Sequence, residues 1–597
     1  MIQFPKPNLE QFYRTYRIGS FAIDKAESQV ALATDLSGKF NVWGLDLPNL
    51  YPYPLTYQDQ MPQFLHFDPL DRYLLVGFDT DGDENTQMYA ISRTGGAIVP
   101  LRTAPGKRHY FGAFSADGQS LYYSSDKDNA MFMNIYRYDF DSGEETVLME
   151  GANGMFSFDA VAPDGSSWVY NKAYSNTFAI PYLVQDGTAV CMTGDEETPH
   201  VGGNARYLDA DTILFITNYQ SEHPYVAKYS VSTRSFVCLF SLEGHDIMEL
   251  EVHRDTGTVY CVAMRGVADR LFAGQADTGE FHELMYPGSI VRAMQVAESG
   301  TLYAILTQEN RPANLFRREV DGTWSALTNN RVLGVAEEDM VCAEVVRYPS
   351  FDGLEIEAML YRAQEDVANG HTIILPHGGP QSADRKYFWS FTQFLLSRGY
   401  NIFAPNFRGS AGYGTEFVRM VERDWGGGAR LDMVAGMEWL ITNGLAEREK
   451  LFVVGGSYGG YMSLLLHGRH ADYFRAVVDI FGPSNMFTFI NSVPESWKPA
   501  MDQMVGHPER DHDKLVEDSP ITYLDGMTKP MLVIQGANDP RVVQSESDQI
   551  VQALREQGRD VEYMVLPDEG HGFSKKENEL KVYKAVADFL ERHQASV

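Results

Sequence analysis

The chain has 597 residues, of which 44% are hydrophobic and 22% are charged, and its formal net charge is −32. A chain of this length exceeds what a single hydrophobic core can organise, so we expect two or more domains. The strong negative charge repels the phosphate backbone of nucleic acids and excludes nucleic-acid binding as a favoured function.

The sequence carries no pattern for export, membrane insertion or disulfide bonding. Its first residues show no basic segment followed by an apolar one, and no uncharged run is long enough to span a bilayer. The four cysteines are scattered without paired spacing, which indicates neither a disulfide framework nor a zinc site. We therefore expect a cytoplasmic protein with no membrane partner. Its oligomeric state stays open, and a homo-oligomer is one alternative.

A unit of about 45 residues recurs between residues 20 and 335. In one copy, a strand beginning at His109 leads through an Asp117-Gly118 turn to a β-rich strand, and two further strands follow. Related units begin near Phe21, Pro62, His109, Met155, His200, Asp246 and Val291. This pattern is typical of propeller blades, so the sequence predicts an all-β seven-bladed propeller over residues 20–335. Six or eight blades, or two β-sandwiches, are the alternatives, although a sandwich does not require so even a period.

Two shorter segments of the first half have open interpretations. Residues 1–19 precede the repeats, and we expect them either to pack on the later domain or to form a loose terminus. The segment Asp79-Thr80-Asp81-Gly82-Asp83-Glu84 resembles part of a calcium loop but lacks the rest of the EF-hand spacing. A solvated acidic turn is the favoured interpretation of that segment.

From residue 336 the pattern changes to a hairpin followed by alternating strands and helices. Apolar strands are predicted over residues 372–376, 400–405, 451–454, 476–479, 530–535 and 561–566, and helices over 389–398, 430–443, 545–557 and 577–592. Such alternation predicts a doubly wound, mostly parallel sheet covered on both faces. We therefore expect an α/β-hydrolase domain over residues 336–597.

The strand over residues 451–454 runs into Gly455-Gly456-Ser457-Tyr458-Gly459, and a helix-like sequence follows. A G-x-S-x-G pattern between a strand and a helix is the form of a nucleophile elbow, in which a tight turn exposes the serine hydroxyl. The pattern alone is short, and most matches are ordinary turns. It makes Ser457 a candidate nucleophile that still needs a positioned base.

The required partners follow Ser457 in the expected order. Asp539 comes directly after the strand over residues 530–535, and His571 follows the strand over 561–566, so both lie at the carboxyl end of the sheet. His571 would accept the proton of Ser457, and Asp539 would orient the imidazole. Asp568 and Glu569 are alternative acids, but they precede His571 in its own loop, which favours Asp539.

An oxyanion hole requires two hydrogen-bond donors near Ser457. The backbone N–H of Tyr458, the residue after the nucleophile, is the first candidate. The second is expected in His377-Gly378-Gly379-Pro380, which follows an early strand and whose glycines allow close approach of backbone N–H groups. A plain loop is the alternative for this second segment.

Together these features resemble the prolyl oligopeptidase family of serine peptidases. The resemblance rests on the elbow, on Ser519-Pro520, and on residues 406–414, 424–427 with Asp432, 536–542 and 569–573. The motif at His377 is most similar to that of the acylaminoacyl peptidase branch. This similarity implies that Gly379 supplies the second oxyanion N–H, where other branches use a tyrosine hydroxyl.

The resemblance also implies how the substrate is held. Arg541 matches an arginine that binds the P2 carbonyl of the substrate, and a salt bridge is its alternative role. In the dipeptidyl branch a propeller glutamate pair grips a free amino terminus, but the adjacent pairs Glu144-Glu145 and Glu196-Glu197 receive no such assignment here. Candidates for an apolar S1 pocket follow the elbow helix: Met486, Phe487 and Trp497, with Phe481 and Phe489 in the same region. Aromatic residues there can equally belong to the core.

The sequence therefore predicts a soluble serine peptidase that cleaves short or N-acylated peptides through an acyl-enzyme on Ser457. The propeller would restrict the size of the substrate, and neither a metal nor an organic cofactor is implied. One alternative is an esterase or amidase acting on small acyl compounds. Another is a propeller binding module that carries an inactive hydrolase domain.

Overall fold

The computed structural model describes residues 5–319 and 321–594. Residues 1–4 of the predicted amino-terminal segment and residues 595–597 at the end of the predicted hydrolase domain lie outside this description. The first element is helix α1 (Leu9–Tyr13). Its amino terminus is a capping box, because the Asn8 side chain accepts from the Gln11 backbone while the Gln11 side chain accepts from the Asn8 backbone.

Seven four-stranded antiparallel sheets follow, each made of four consecutive strands. Blade 1 contains β1 (Ile18–Ile23), β2 (Gln29–Thr34), β3 (Asn41–Asp46) and β4 (Pro52–Pro54), and blade 2 contains β5 (Pro62–Phe67), β6 (Leu74–Phe78), β7 (Gln87–Ile91) and β8 (Val99–Arg102). Blade 3 contains β9 (His109–Phe114), β10 (Ser120–Ser125), β11 (Asn134–Asp139) and β12 (Glu145–Met149). Blade 4 contains β13 (Met155–Val161), β14 (Ser167–Ser175), β15 (Phe178–Gln185) and β16 (Thr188–Cys191).

The remaining three blades repeat this arrangement. Blade 5 contains β17 (Gly202–Tyr207), β18 (Thr212–Thr217), β19 (Tyr225–Ser230) and β20 (Ser235–Phe240). Blade 6 contains β21 (Asp246–His253), β22 (Thr258–Arg265), β23 (Ala268–Gln275) and β24 (Phe281–Leu284). Blade 7 contains β25 (Ile290–Val296), β26 (Leu302–Gln308), β27 (Arg311–Arg318) and β28 (Trp324–Ala326). The predicted seven-bladed propeller is confirmed, and each blade begins at or within a few residues of its predicted start.

The propeller is held together by packing between blades. In blades 1 to 3 the second strand is the most buried element, and β2, β6 and β10 are buried along their whole length. Every blade consists of four consecutive strands, so no strand from the start of the chain completes the last blade. The first and last blades are instead held together by packing of their side chains. Ile23 and Leu32 of blade 1 pack with Tyr303, Ile305 and Leu315 of blade 7 in one apolar cluster.

The second domain is built on one eight-stranded sheet in the order β29-β30-β32-β31-β33-β34-β35-β36. Its strands are β29 (Glu344–Pro349), β30 (Glu355–Tyr361), β31 (Thr372–Ile374), β32 (Asn401–Asn406), β33 (Leu451–Gly456), β34 (Phe474–Ile480), β35 (Met531–Gly536) and β36 (Val561–Leu566). Strands β29 and β30 pair antiparallel, β30 pairs antiparallel with β32, and the other neighbours are parallel. This is the predicted α/β-hydrolase sheet.

Helices cover both faces of this sheet. They are α2 (Ser390–Ser397), α3 (Thr415–Arg419), α4 (Gly428–Thr442), α5 (Tyr458–His470), α6 (Met486–Ser492), α7 (Lys498–Met504), α8 (His512–Glu517), α9 (Gln544–Glu556) and α10 (Lys576–Arg592). Short 3₁₀ segments span Glu337–Asp339, Ala471–Tyr473, Glu495–Trp497 and Pro520–Gly526. Along β33, Val453 packs on the face covered by α4, α5 and α9, whereas Phe452 and Val454 pack on the face covered by α2 and α10.

Helix α1 belongs to the second of these faces, although it precedes the propeller in the chain. Phe12 packs edge-on against Phe394 of α2 with ring centroids 5.9 Å apart, and Tyr13 stacks on Tyr583 of α10 at 5.4 Å. Both side chains are almost completely buried. Of the two alternatives for the amino-terminal segment, the structure therefore shows packing on the hydrolase domain. Within the described residues, no helix is both long and apolar enough to cross a membrane.

We expect Phe12→Ala to destabilise the hydrolase domain. Removing a buried phenylalanine ring costs about 3–5 kcal/mol of unfolding free energy, because apolar contacts are lost and a cavity remains. Thermal unfolding of the full chain, followed by tryptophan fluorescence, measures the effect against Arg14→Ala, which changes an exposed position of the same segment. Equal unfolding temperatures for the two variants would contradict a structural role for α1.

Candidate active site

Ser457 lies in the turn between β33 and α5 with φ 57° and ψ −123°, a strained conformation for a residue with a side chain. Its backbone N–H donates to the Ile480 carbonyl at 2.9 Å. The turn can be this tight because of its glycines. A Cβ atom at Gly455 would lie 2.1 Å from the Gly459 carbonyl oxygen, and one at Gly459 would lie 2.1 Å from that of Pro376. The sequence pattern therefore produces the predicted elbow.

The structure brings Ser457, His571 and Asp539 together. The Nε2 atom of His571 lies 2.8 Å from the Ser457 hydroxyl oxygen, and its Nδ1 atom lies 2.6 Å from Oδ2 of Asp539. The other oxygen of Asp539 accepts from the backbone N–H groups of Arg541 and Val542, each at 2.9 Å. The Asp539 side chain is completely buried. The imidazole is thus held between an immobilised carboxylate and the serine.

The alternative acids of the His571 loop, residues 567–575, have other partners. Asp568 pairs with Lys575 at 2.6 Å. Glu569 accepts from the backbone N–H groups of Ser574 and Lys575 at 2.8 and 3.0 Å. Both carboxylates therefore shape the loop, and neither contacts the imidazole.

The two predicted oxyanion donors lie beside Ser457. Tyr458 is the first residue of α5, so its N–H has no acceptor within the helix. Gly379 has φ +128°, and both residues line the cavity next to Ser457. A Cβ atom added to Gly378 would lie only 3.5 Å from Cβ of Ser457. The glycine segment thus passes directly against the nucleophile.

His377 fixes this glycine segment. Its ring stacks on Phe407 with centroids 4.2 Å apart, and burial lowers its pKa to about 4, so the imidazole is neutral near pH 7. Nδ1 lies 2.7 Å from the Gly378 carbonyl, which can only accept, so Nδ1 carries the proton. Nε2 lies 2.8 Å from the Ser410 hydroxyl oxygen, and the same hydroxyl donates to the Phe407 carbonyl at 2.6 Å. His377 acts on the loop and does not reach the serine.

A cavity of about 840 Å³ opens beside Ser457 on the α5 side of the sheet. Its hydrolase wall includes Trp425, Phe489, Trp497, Met501 and Val542. Its propeller wall comes from blades 3 and 4 and includes Phe132, Met155, Tyr174 and Phe178. The cavity beside Ser457 therefore lies between the two domains and is lined by both.

The structure places the three S1 candidates in different environments. Trp497 lines the cavity as expected. Met486 is completely buried in the hydrolase core, and Phe487 packs against that core and against the His512 ring at 5.2 Å. Neither residue lines the cavity, so the expectation for these two is corrected. Phe489, one helical turn after Met486, is the α6 side chain that faces the cavity.

Arg541 lies where this cavity meets two smaller ones. Its Nε donates to Glu84 of the propeller at 2.6 Å, and its guanidinium lies over the Trp497 ring at 5.7 Å. The terminal nitrogens of Arg541 make no hydrogen bond with any described residue. The predicted salt bridge is present, and donors remain for a substrate.

The acidic segment of blade 2, here called the 79–84 loop, contacts the His571 loop. A Cβ atom at Gly82 would lie 2.9 Å from the Gly570 backbone nitrogen, and Asp81 pairs with Lys575 at 2.9 Å. The expectation of a solvated acidic turn was therefore wrong, because the loop forms part of the domain interface. No metal-binding cluster of three or more side chains occurs among the described residues.

Sequence reasoning missed a buried acid behind the elbow. Asp479 of β34 accepts from the Gly482 N–H at 2.9 Å through Oδ1, and its Oδ2 has no partner among the described residues. Burial raises the pKa of Asp479 to about 8, so the carboxyl group is mostly protonated near pH 7. A run of apolar residues around Asp479 is the sequence signal that could have identified it.

These observations define a two-domain serine hydrolase with a propeller in front of its active site. Residues 386–596 match the family model described as the prolyl oligopeptidase family. Dipeptidyl aminopeptidase BIII of Pseudoxanthomonas mexicana is 29% identical over 86% of this chain and 77% of its own length. Acylamino-acid-releasing enzyme 1 of Oryza sativa subsp. japonica is 27% identical over 40% of this chain and 32% of its own.

Solved structures share the whole architecture. A puromycin-hydrolysing peptidase of Mycobacterium tuberculosis has a TM-score of 0.85 at 18% identity, covering 99% of this chain and 97% of that one. Acylaminoacyl peptidase of Pyrococcus horikoshii has a TM-score of 0.74 at 19% identity, covering 98% and 97%. These likenesses show the fold. The family match shows that residues 386–596 are similar to the prolyl oligopeptidase family, and these relatives of the chain are serine peptidases.

We expect Gly82→Ala to lower kcat/KM by about 10- to 100-fold, because the new methyl group displaces the loop that carries His571. Gly165→Ala is the matched control. Both glycines have positive φ (+77° and +72°), but a Cβ at Gly165 meets no atom within 4 Å. Peptidase assays on both variants distinguish the two effects. Gly165→Ala reports on backbone strain alone, whereas Gly82→Ala reports on strain together with the lost domain contact. Equal activities would contradict a role for the 79–84 loop in placing His571.

Asp479 should also make stability depend on pH. Its folded-state pKa lies above the value of 3.8 for a free aspartate, so between about pH 4 and 8 the folded chain binds one more proton than the unfolded chain. Stability must therefore fall as the pH rises through this window. Between pH 6 and 8, Asp479→Asn should remove about 2 kcal/mol of this loss. Denaturant unfolding near pH 6 and 8 measures it, with exposed Asp366→Asn as control, and an unchanged slope would refute the assignment.

Proposed function

We propose that this peptidase hydrolyses short or N-acylated peptides through an acyl-enzyme on Ser457. The observation that carries the proposal is the continuous chain of hydrogen bonds from the Ser457 hydroxyl through His571 to the buried Asp539. A serine hydroxyl becomes an effective nucleophile when a positioned base accepts its proton.

In the proposed reaction, Ser457 attacks the substrate carbonyl while His571 accepts the hydroxyl proton through Nε2. Asp539 holds the Nδ1–H tautomer and stabilises the imidazolium that forms. The backbone N–H groups of Tyr458 and Gly379 would donate to the oxyanion, and each such donor is typically worth about 10²–10³ in rate. His571 then gives its proton to the leaving amine. In deacylation, His571 accepts a proton from water, which attacks the acyl carbon. The bond to Ser457 Oγ then breaks, and His571 returns the proton to Oγ.

We assign the 840 Å³ cavity to the acyl side of the substrate. Its walls near Ser457 are aromatic and apolar at Trp425, Phe489, Trp497 and Val542, which favours a large apolar P1 residue. Arg541 would hold the P2 carbonyl with its terminal nitrogens, because only its Nε is used in the contact with Glu84.

The charges of this cavity favour a blocked amino terminus. Asp502 is the one carboxylate that lines it among the described residues, and Asp502 already pairs with Arg423 and Arg510. A free ammonium group would therefore find no unpaired carboxylate there. The similarity to a dipeptidyl aminopeptidase favours the opposite preference for a free amino terminus, so the substrate assay must compare both.

The propeller wall supports a limit on substrate size. Blades 3 and 4 face the hydrolase domain across the cavity, and α7 packs against β14 of blade 4. A folded protein cannot insert an internal peptide bond between these surfaces, whereas a short flexible peptide can. The cytoplasmic location and the oligomeric state stay predictions.

The proposal is tested with peptides that share an aromatic P1 residue and differ in their amino terminus and length. We expect acetylated short peptides to be cleaved faster than free-amine ones, and a folded protein with the same terminal sequence to resist cleavage. Ser457→Ala should lower kcat/KM by at least about 10⁴-fold. Ser397→Ala, at the remote end of α2, should change nothing.

Three outcomes would overturn parts of this proposal. Faster cleavage of free-amine peptides would replace the acylated substrate with a dipeptidyl one. Hydrolysis of small esters without peptide cleavage would support the esterase alternative. Full activity of Ser457→Ala would reject the mechanism itself.

A further inference from the structure

A second cavity of about 370 Å³ reaches Ser457 and His571 from the opposite side of the sheet. It lies among the ends of β31, β33 and β34, the start of α2 and the middle of α10, and its lining includes Leu375, Val454, Ile480 and Phe481. These four belong to the cluster of the α2 and α10 face, whereas the wall residues Trp425 and Tyr458 of the larger cavity belong to the other cluster. A substrate bound at Ser457 can therefore extend into two separate spaces.

The walls of this second cavity are aromatic, and one carboxylate interrupts them. Tyr387, Trp389, Phe481 and Tyr583 supply the aromatic surface, and Asp384 supplies the carboxylate. The Asp384 side chain makes no hydrogen bond or ion pair with any described residue, and its Oδ2 is buried without a partner. Burial raises the pKa of Asp384 to about 7.

The position of Asp384 is fixed by its backbone. Its N–H donates to the Asn406 side chain at 2.8 Å, and its carbonyl accepts from the same side chain at 3.0 Å. Asn406 is held in turn by a 2.8 Å bond to the Tyr413 hydroxyl. The adjacent Arg385 cannot neutralise Asp384, because it pairs with Asp269 of blade 6. A rigidly placed carboxylate without a partner is costly, and a ligand that brings a cation or a donor removes that cost.

We propose that this cavity is the S1′ subsite, which takes the residue on the leaving-group side of the scissile bond and selects a lysine or arginine there. The methylene stem of such a side chain would pack on Trp389, Phe481 and Tyr583, and its cationic head would pair with Asp384. This inference rests on the proposed acyl-enzyme mechanism. His571, which must protonate the leaving amine, lines this cavity as well.

The reverse of the acylation step allows this subsite to be studied apart from the acyl side of the substrate. An amine that enters from the leaving-group side attacks the ester carbon of acyl-Ser457, and the bond between that carbon and Oγ breaks. The amine nitrogen loses one proton to His571, which returns it to Oγ of Ser457. The products are a new amide and free enzyme. The choice between this amine and water depends on the S1′ side and not on the acyl group.

The experiment measures how acyl-enzyme formed from an activated ester is partitioned between water and added amino-acid amides. Lysinamide and norleucinamide have similar length and differ in the terminal cation. We expect the full-length wild-type chain to transfer its acyl group to lysinamide about tenfold more efficiently. Asp384→Asn should reduce this ratio to near one, whereas Asp366→Asn, an exposed carboxylate on the β30–β31 connection, should retain it.

The outcomes separate this inference from the proposed function. Intact mass spectrometry first detects the acyl group on Ser457, and its absence would overturn both. If the wild-type acyl-enzyme accepts the two amides equally, the S1′ assignment is wrong and the proposed acyl-enzyme mechanism still stands. This outcome needs no variant. A lysinamide preference that persists in Asp384→Asn would show that another group binds the cation.

Discussion

The close approach of α5 to the end of β31 is the constraint on which the site depends. Gly459 lies so near the Pro376 carbonyl that no side chain fits between them, and the chain turns within Ser457, at φ 57° and ψ −123°. The turn exposes the hydroxyl at the carboxyl edge of the sheet and leaves the Tyr458 N–H free at the start of α5. The same edge receives Asp539 from β35 and His571 from β36, because parallel strands end on one side.

The propeller contributes more than a cover. Its 79–84 loop contacts the His571 loop at Gly570 and Lys575, and its Glu84 holds Arg541 through Nε. Arg17, which joins α1 to β1, donates to the Phe573 and Ser574 carbonyls at 3.1 and 3.2 Å. The loop that carries the general base is therefore supported by both domains. A separation of the domains would remove these contacts, and we infer that the docked arrangement is the one that holds His571 in place.

The parts of the molecule that the sequence predicts are those encoded by local patterns. The blade repeat, the strand–helix alternation and the Gly455–Gly459 turn each express a backbone requirement within a few residues, and the fold follows from them. Ser457, Asp539 and His571 could be assigned to the triad from the sequence because each follows a recognisable apolar strand, in the expected order. The distances that join them depend on packing, which the sequence does not show directly.

Other features depend on which surfaces meet. The 79–84 loop looks like a solvated acidic turn until the propeller docks on the hydrolase domain. Met486 and Phe487 could not be distinguished from Phe489, because the rotation of α6 decides which side chain reaches the cavity. Asp384 carries no local motif, and the lack of a hydrogen-bond partner for its Oδ2 among the described residues emerges only in the folded chain.

We infer that His571, held by Asp539, makes Ser457 the nucleophile. Peptide mapping by mass spectrometry after treatment with a fluorophosphonate tests it most directly, because this reagent reacts with activated serines in folded hydrolases. We expect one adduct per chain, located on Ser457, and its loss in His571→Ala under the same conditions. An adduct on another serine, or undiminished labelling of Ser457 in His571→Ala, would show that His571 does not activate Ser457.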